Sequence, residues 1–269
     1  MRLKAGQLIF ALTMIAMGII GIVTGGFAPI WAGVPKDLPD RQLLAYLCTF
    51  VSLAGGVALL VRRSAVVAAM CLFLFLTVWT VAFKVPFIVR DPLVEVSYQS
   101  TGENLVLVAA ALALYASAAS KRTFLSGKPG LRTAYFLYGL ALLAFGFSHF
   151  VYLNLTAPLI PAWLPKPVFW AYLTGAIYLA TGAAMISGIG AAVGAIASAA
   201  QIALITILVW GPVMARGQLS PGEFQETVVS WALTAGALVI AMSFEPIAWR
   251  RRNRAAEAGH SPKAVVGRT

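Results

Sequence analysis

Few residues in this chain can do chemistry, because 60% of it is hydrophobic and only 11% is charged. His149 and Asn154 close one apolar run, and Pro158, Pro161, Trp163, Pro165 and Pro167 follow before Tyr172 opens the next. Lys84 stands two residues before Pro86, and Glu103 precedes Asn104 near another apolar run. An imidazole, an amide, an indole and a phenol beside apolar walls suit a small amphipathic ligand, whose polar end they orient. His149, Asn154, Trp163, Tyr172, Lys84 and Glu103 are therefore the candidate ligand-binding residues. An ionisable group inside a span is a functional candidate because burying it is costly.

Each of these residues also has a plainer reading. A neutral imidazole can join helices by hydrogen bonds. The prolines can form a stiff connector, anchored by Trp163 and Trp170 at the interface. Glu103 and Glu226 can sit where helices begin, favoured there by the helix dipole. Lys84 can snorkel outward, or it can pair with Glu103.

Several chemistries lack their residues. The second histidine, His260, lies in a basic tail, and no His, Cys or acidic set has metal-ligand spacing. The two cysteines, Cys48 and Cys71, do not form a C-x-x-C and are expected as small apolar core residues. No phosphate loop, nucleophile elbow, catalytic carboxylate pair or haem-type histidine pair is visible. The reading leans away from an enzyme, and no cofactor ligands are evident.

The positioning elements follow from solvent. A soluble domain carries about 25% charged residues, so this chain must face lipid. Hydrocarbon of about 30 Å needs roughly 20 apolar residues as helix, and lipid leaves no other way to satisfy the backbone. Eight runs qualify: Gln7 to Pro29, Leu43 to Val61, Ala65 to Phe87, Asn104 to Ala119, Thr133 to Leu155, Phe169 to Ser187, Ala191 to Val213 and Thr227 to Trp249. The first is too long for a signal-peptide core and reads as a retained span. The expected class is an all-α membrane protein. Prolines 86 and 212 fall near the outer ends of their runs, so no helix broken at the midplane is expected.

The net charge of +11 does not indicate nucleic acid, because it is sorted by side. One set of alternate loops holds fourteen Lys and Arg against two carboxylates, including Arg62, Arg63, the 121–132 segment and the Arg250–Arg254 cluster. The other set holds six against seven. Cytoplasmic loops carry the basic excess, so both termini are expected in the cytoplasm of a bacterial-type plasma membrane. The predicted partners are anionic lipids.

The sequence also repeats. Ala45, Tyr46, Leu47, Leu53, Ala54, Gly56 and Ala58 match Ala171, Tyr172, Leu173, Leu179, Ala180, Gly182 and Ala184, each 126 residues on. Pro86 matches Pro212 at the same spacing. The unit is four helices, and an even count makes the two copies parallel. The expected organisation is a first unit at 1–120, a basic linker at 121–132, a second unit at 133–249 and a tail at 250–269.

His149-Phe150, the LIPAWLP of 159–165, the FWAYLTG of 169–175 and Gly182 together resemble the DoxX-like family of four-helix membrane proteins. The first half shares this only through the repeat, with Gly21 at the position of His149 and WAGVPKDLP in place of IPAWLPKP. The resemblance implies a membrane protein associated with redox or quinone-linked systems, with a redox partner carrying the cofactor. The expected function is a pocket on the extracytoplasmic side for a quinone or lipid headgroup. The alternatives are a solute or lipid transporter and a non-catalytic assembly subunit.

Overall fold

The protein is described by a computed structural model covering residues 2–119 and 123–244. It is 82% helical with no strand among the described residues. Eight helices are long and apolar enough to cross a membrane. They are α1 (Arg2–Thr24), α2 (Arg41–Leu60), α3 (Ala65–Arg90), α4 (Glu95–Ala118), α5 (Gly127–Val151), α6 (Pro167–Ser187), α7 (Ala191–Ala215) and α8 (Pro221–Ser243).

Each helix packs on the next in chain order, and α8 returns to α1, which closes a ring. Across the ring α4 packs on α8. A Cβ on Gly236 of α8 would stand 2.7 Å from Val106 Cγ1 of α4, so glycine permits this close crossing. α4 is the most enclosed span, with 78% of its apolar window buried against 28–44% for α1–α3 and α5–α7. Leu8, Ile19, Phe50, Val67, Val193 and Ile207 point outward as the lipid-facing coat.

Helix boundaries differ from the sequence reading in one informative place. α4 begins at Glu95 rather than Asn104, so the expected long loop before it shrinks to residues 91–94. Its first turns are polar, but Ser97, Thr101 and Asn104 are buried against protein. Such residues depress hydropathy without ever meeting lipid. Glu103 and Glu226 consequently lie in the third and second turns of α4 and α8, not at the helix starts. The first turn of α8 is instead capped by Ser220 and Glu223 in a capping box, with Pro221 at its first position. α5 begins inside the expected 121–132 linker. Lys121, Arg122, Trp249 and the 250–269 tail lie outside the described residues. Cys48 is buried as expected, whereas Cys71 is exposed on the lipid-facing side of α3.

Both α3 and α7 contain a π turn, at Thr80–Lys84 and Thr206–Trp210. Val85 and Gly211 donate their N–H groups back five residues, to Thr80 O and Thr206 O. Pro86 and Pro212 follow and have no N–H to give to the preceding turn. The widened turn lets each helix continue past its proline.

Other features recur 126 to 128 residues apart. Asp40 and Lys166 both adopt positive φ, 53° and 56°, directly before α2 and α6. A Cβ on Gly18 would meet Leu53, and one on Gly146 would meet Leu179. Gly56 lies against the carbonyl of Ala11, and Gly182 against that of Gly139. After α1 and α5 come short 3-10 turns, Pro29–Trp31 and Ala157–Leu159.

Candidate functional site

A cavity of about 130 Å³ opens between α4 and the helices of the second half, near the end of the bundle that carries both proline-rich loops. Its first wall is α5. Phe145 and His149 stand one turn apart on the inward face, and the His149 ring lies 5.6 Å from that of Tyr178. His149 Nδ1 is 2.9 Å from Phe145 O. A carbonyl only accepts, so Nδ1 carries the proton and Nε2 is left as an acceptor.

The second wall is α6, where Thr174 and Tyr178 lie four residues apart and share a face. Gln201 of α7 donates to Thr174 O at 3.1 Å, tying the two helices together. The third wall is the end of α7 and its π turn, with Ile202, Ile205, Thr206, Val209 and Trp210. Thr206 hydroxyl is within 2.8 Å of Thr234 Oγ1 and donates within reach of Ser230 O at 3.1 Å, fixing the turn to α8.

The fourth wall is α8, through Glu226, Ser230 and Leu233, and α4 adds Gln99. The roof is the segment after α5, through Thr156, Leu159 and Ile160. That segment leaves the helix because Tyr152 departs from helical geometry at φ −111°, ψ 47°. Polar groups and aliphatic and aromatic groups thus share the lining.

Behind Glu226 lies a polar cluster. Glu95, Gln99 and Glu103 succeed one another at four-residue steps along α4. Glu103 is within electrostatic reach of Glu226, Lys84 and Glu95. Three buried side-chain groups around these helices, Asn104 Nδ2, Ser148 Oγ and Thr227 Oγ1, have no hydrogen-bond partner in the protein. Gln201 Oε1 on α7 is likewise buried without one.

Of the six candidates named from sequence, His149 lines the cavity. Asn154, Trp163 and Tyr172 are exposed and do not. Trp163 is 66% exposed, on the loop whose Ile160 and half-exposed Leu159 line the cavity. Glu103 sits one layer behind the cavity, next to Glu226.

Lys84 belongs to the first half and does not snorkel, being only 3% exposed. Its ammonium lies against the first loop, where a Cβ on Gly33 would stand 3.5 Å from Nζ. The expected Lys84–Glu103 ion pair is not formed. Among the described residues the ion pairs are Arg90–Asp91 and Arg216–Glu223, both at 2.7 Å.

Sequence reasoning passed over Tyr178, Thr174, Thr206, Trp210 and Gln99. The four-residue spacing of Thr174 and Tyr178 was available, because it puts both on the face that carries Gly182 and Ala171. The π turn that aims Thr206 and Trp210 had no sequence signal beyond Pro212.

In the first half an indole occupies the corresponding region. Trp31, the last residue of its 3-10 turn, is completely buried. Its Nε1 donates to Ser52 Oγ at 2.9 Å, and its ring packs edge-on against Phe75 and Trp79, with centroids 5.4 and 5.1 Å away. The residue closing the other 3-10 turn is Leu159.

Compared with protein-family models, curated proteins and solved structures, the chain matches none.

Proposed function

We propose that the protein is a multi-pass membrane protein that holds a small amphipathic molecule, such as a quinone or a lipid headgroup, in the cavity between α5, α6, α7 and α8. The single observation that carries this reading is the composition of that cavity. His149, Tyr178, Gln99, Thr174 and Glu226 line it together with Phe145, Ile202, Ile205, Trp210 and Leu233. A few convergent polar groups in an apolar pocket orient a ligand with one polar end. The sorted loop charge supports an extracytoplasmic opening and cytoplasmic termini, in a bacterial-type plasma membrane. The resemblance to DoxX-like proteins supports a redox-associated subunit whose partner carries the redox centre.

We infer further that the chain is a tandem, parallel duplication of a four-helix unit. The π turns, the positive-φ residues and the glycine contacts that recur 126 to 128 residues apart support it. A transporter is the second reading, favoured by those twin π turns, since interrupted helices at matching places in two repeats mark many transport sites.

The test is extraction of the protein purified in mild detergent, followed by mass spectrometry of the bound small molecules. Wild type is expected to carry a quinone or lipid in stoichiometric amount, and His149→Ala with Tyr178→Phe to carry much less. Equal retention by wild type and the double variant would overturn the assignment of this cavity.

A further inference from the structure

Resting on the proposed pocket, we infer that its ligand presents a flat ring of about indole size, the shape that the first half of the chain supplies from its own sequence as Trp31.

Trp31 touches Ser52, Phe75 and Trp79. The residues 126 further on are Tyr178, Gln201 and Ile205. Tyr178 and Ile205 line the cavity. Phe83 and Thr80, on the π turn below Trp79, correspond in the same way to Val209 and Thr206, which also line it. The roof residue over each space ends a 3-10 turn, Trp31 in one half and Leu159 in the other. The second half therefore has the same enclosure with its bicyclic side chain replaced by leucine and its neighbouring Trp79 replaced by isoleucine. Those two exchanges, with Phe83 replaced by Val209, remove ring volume, and Tyr178 and His149, larger than Ser52 and Gly21, refill part of it.

The polar partner has moved with the exchange. In the first half a short hydroxyl, Ser52 Oγ, accepts from the indole N–H. In the second half the longer Tyr178 takes that position, and His149 takes the position of Gly21. Both reach further into the space than their counterparts, so a ligand ring finds a hydroxyl and an imidazole acceptor at its edge. A cavity of about 150 Å³ admits a benzene ring, so this one, at about 130 Å³, encloses one ring and leaves the rest of a larger ligand at its open side.

The experiment titrates fluoroindole into the purified full-length chain in detergent and follows saturable binding by fluorine NMR, with a short-chain phosphatidylglycerol as a second probe. Wild type is expected to bind one fluoroindole. Leu159→Trp, which restores the first half's roof, is expected to weaken binding about tenfold or more. Trp31→Ala is expected to add a second site.

Leu159→Trp binding as well as wild type would overturn the inference. If Trp31→Ala does not fold, the Leu159→Trp comparison decides alone. If phosphatidylglycerol saturates a site that is lost in Leu159→Trp while fluoroindole does not bind, the ring inference fails and the pocket reading stands. If neither probe binds saturably, the pocket reading itself fails.

Discussion

Gly175 of α6 is the floor on which His149 of α5 rests: a Cβ added to Gly175 would stand 2.7 Å from His149 Cβ. In the first half the same meeting point is made the other way round, with Gly21 on α1 giving room to Thr49 on α2. One glycine is needed at each crossing, and the two halves place it on opposite helices. Gly175→Ala should therefore push the imidazole away and cost about 1–3 kcal/mol, as overpacking does. His149→Gly with Gly175→Thr, which copies the first half's arrangement, should recover most of that loss. Thermal unfolding in detergent of wild type, single and double variants measures both effects. Additive losses would show that the two crossings are unrelated.

Trp31 is held by shape and by one hydrogen bond, and the two can be separated. Trp31→Phe keeps a ring against Phe75 and Trp79 but leaves Ser52 Oγ, fully buried, with no donor. The loss should be about 1–3 kcal/mol, the cost of an unsatisfied buried group with a reduced ring. Trp31→Phe with Ser52→Ala should be less destabilised than Trp31→Phe alone, because the orphaned hydroxyl is gone. Equilibrium denaturation of the three variants checks the order.

Where sequence and structure part, the reason is local. Lipid solvation makes an outward face legible, so all eight spans could be read from hydropathy, and the start of α4 was misplaced furthest. That helix is enclosed, and its first turns are turned toward protein and can be polar. The same enclosure explains Lys84, which looked free to snorkel but is covered by the Gly33 loop. The cavity was legible only through His149. Its other walls come from a helix widening that two prolines hint at, and from a Trp-to-Leu exchange that has meaning only once both 3-10 turns are seen to roof equivalent spaces.

Lys84 and Glu103 share a neighbourhood without touching. Removing one leaves the other as a buried charge with less compensation, which is costlier than removing both. Lys84→Met and Glu103→Gln should each lower stability, and the double variant should be more stable than at least the worse single. A double-mutant cycle by thermal unfolding reads the coupling, expected at about 0.5–3 kcal/mol for residues in one network. A coupling of zero would show that Glu226 and Glu95, not Lys84, set the surroundings of Glu103.

The entry to α8 fixes the back wall of the cavity, because Glu226 and Ser230 follow its first turn. Ser220 accepts from Glu223 N–H at 3.2 Å, Glu223 accepts from Ser220 N–H at 2.9 Å, and Arg216 holds the same carboxylate at 2.7 Å. Ser220→Ala should cost about 1 kcal/mol. Ser220→Asp, which can still accept from the helix N–H groups, should cost less. Unfolding midpoints of the two variants decide, and equal losses would mean that the cap is not what orders this end.

Thr206 joins the two sides of the question of whether α7 is a fixed wall or a moving one. Its hydroxyl is shared among Ile202 O, Ser230 O and Thr234 Oγ1, so the π turn is fastened to α8 at the level of the cavity. Bonds of this kind within a membrane contribute about 0.6 kcal/mol on average and up to about 1.7. That is small enough for the turn to open at modest cost and large enough to favour the closed form. Thr206→Val keeps the shape and removes the fastening. It should lower stability by no more than about 1.7 kcal/mol while selectively increasing amide hydrogen exchange across residues 202–210. Exchange that rises evenly over the whole bundle instead would make the π turn a rigid part of the wall, and would remove the structural ground for the transporter reading.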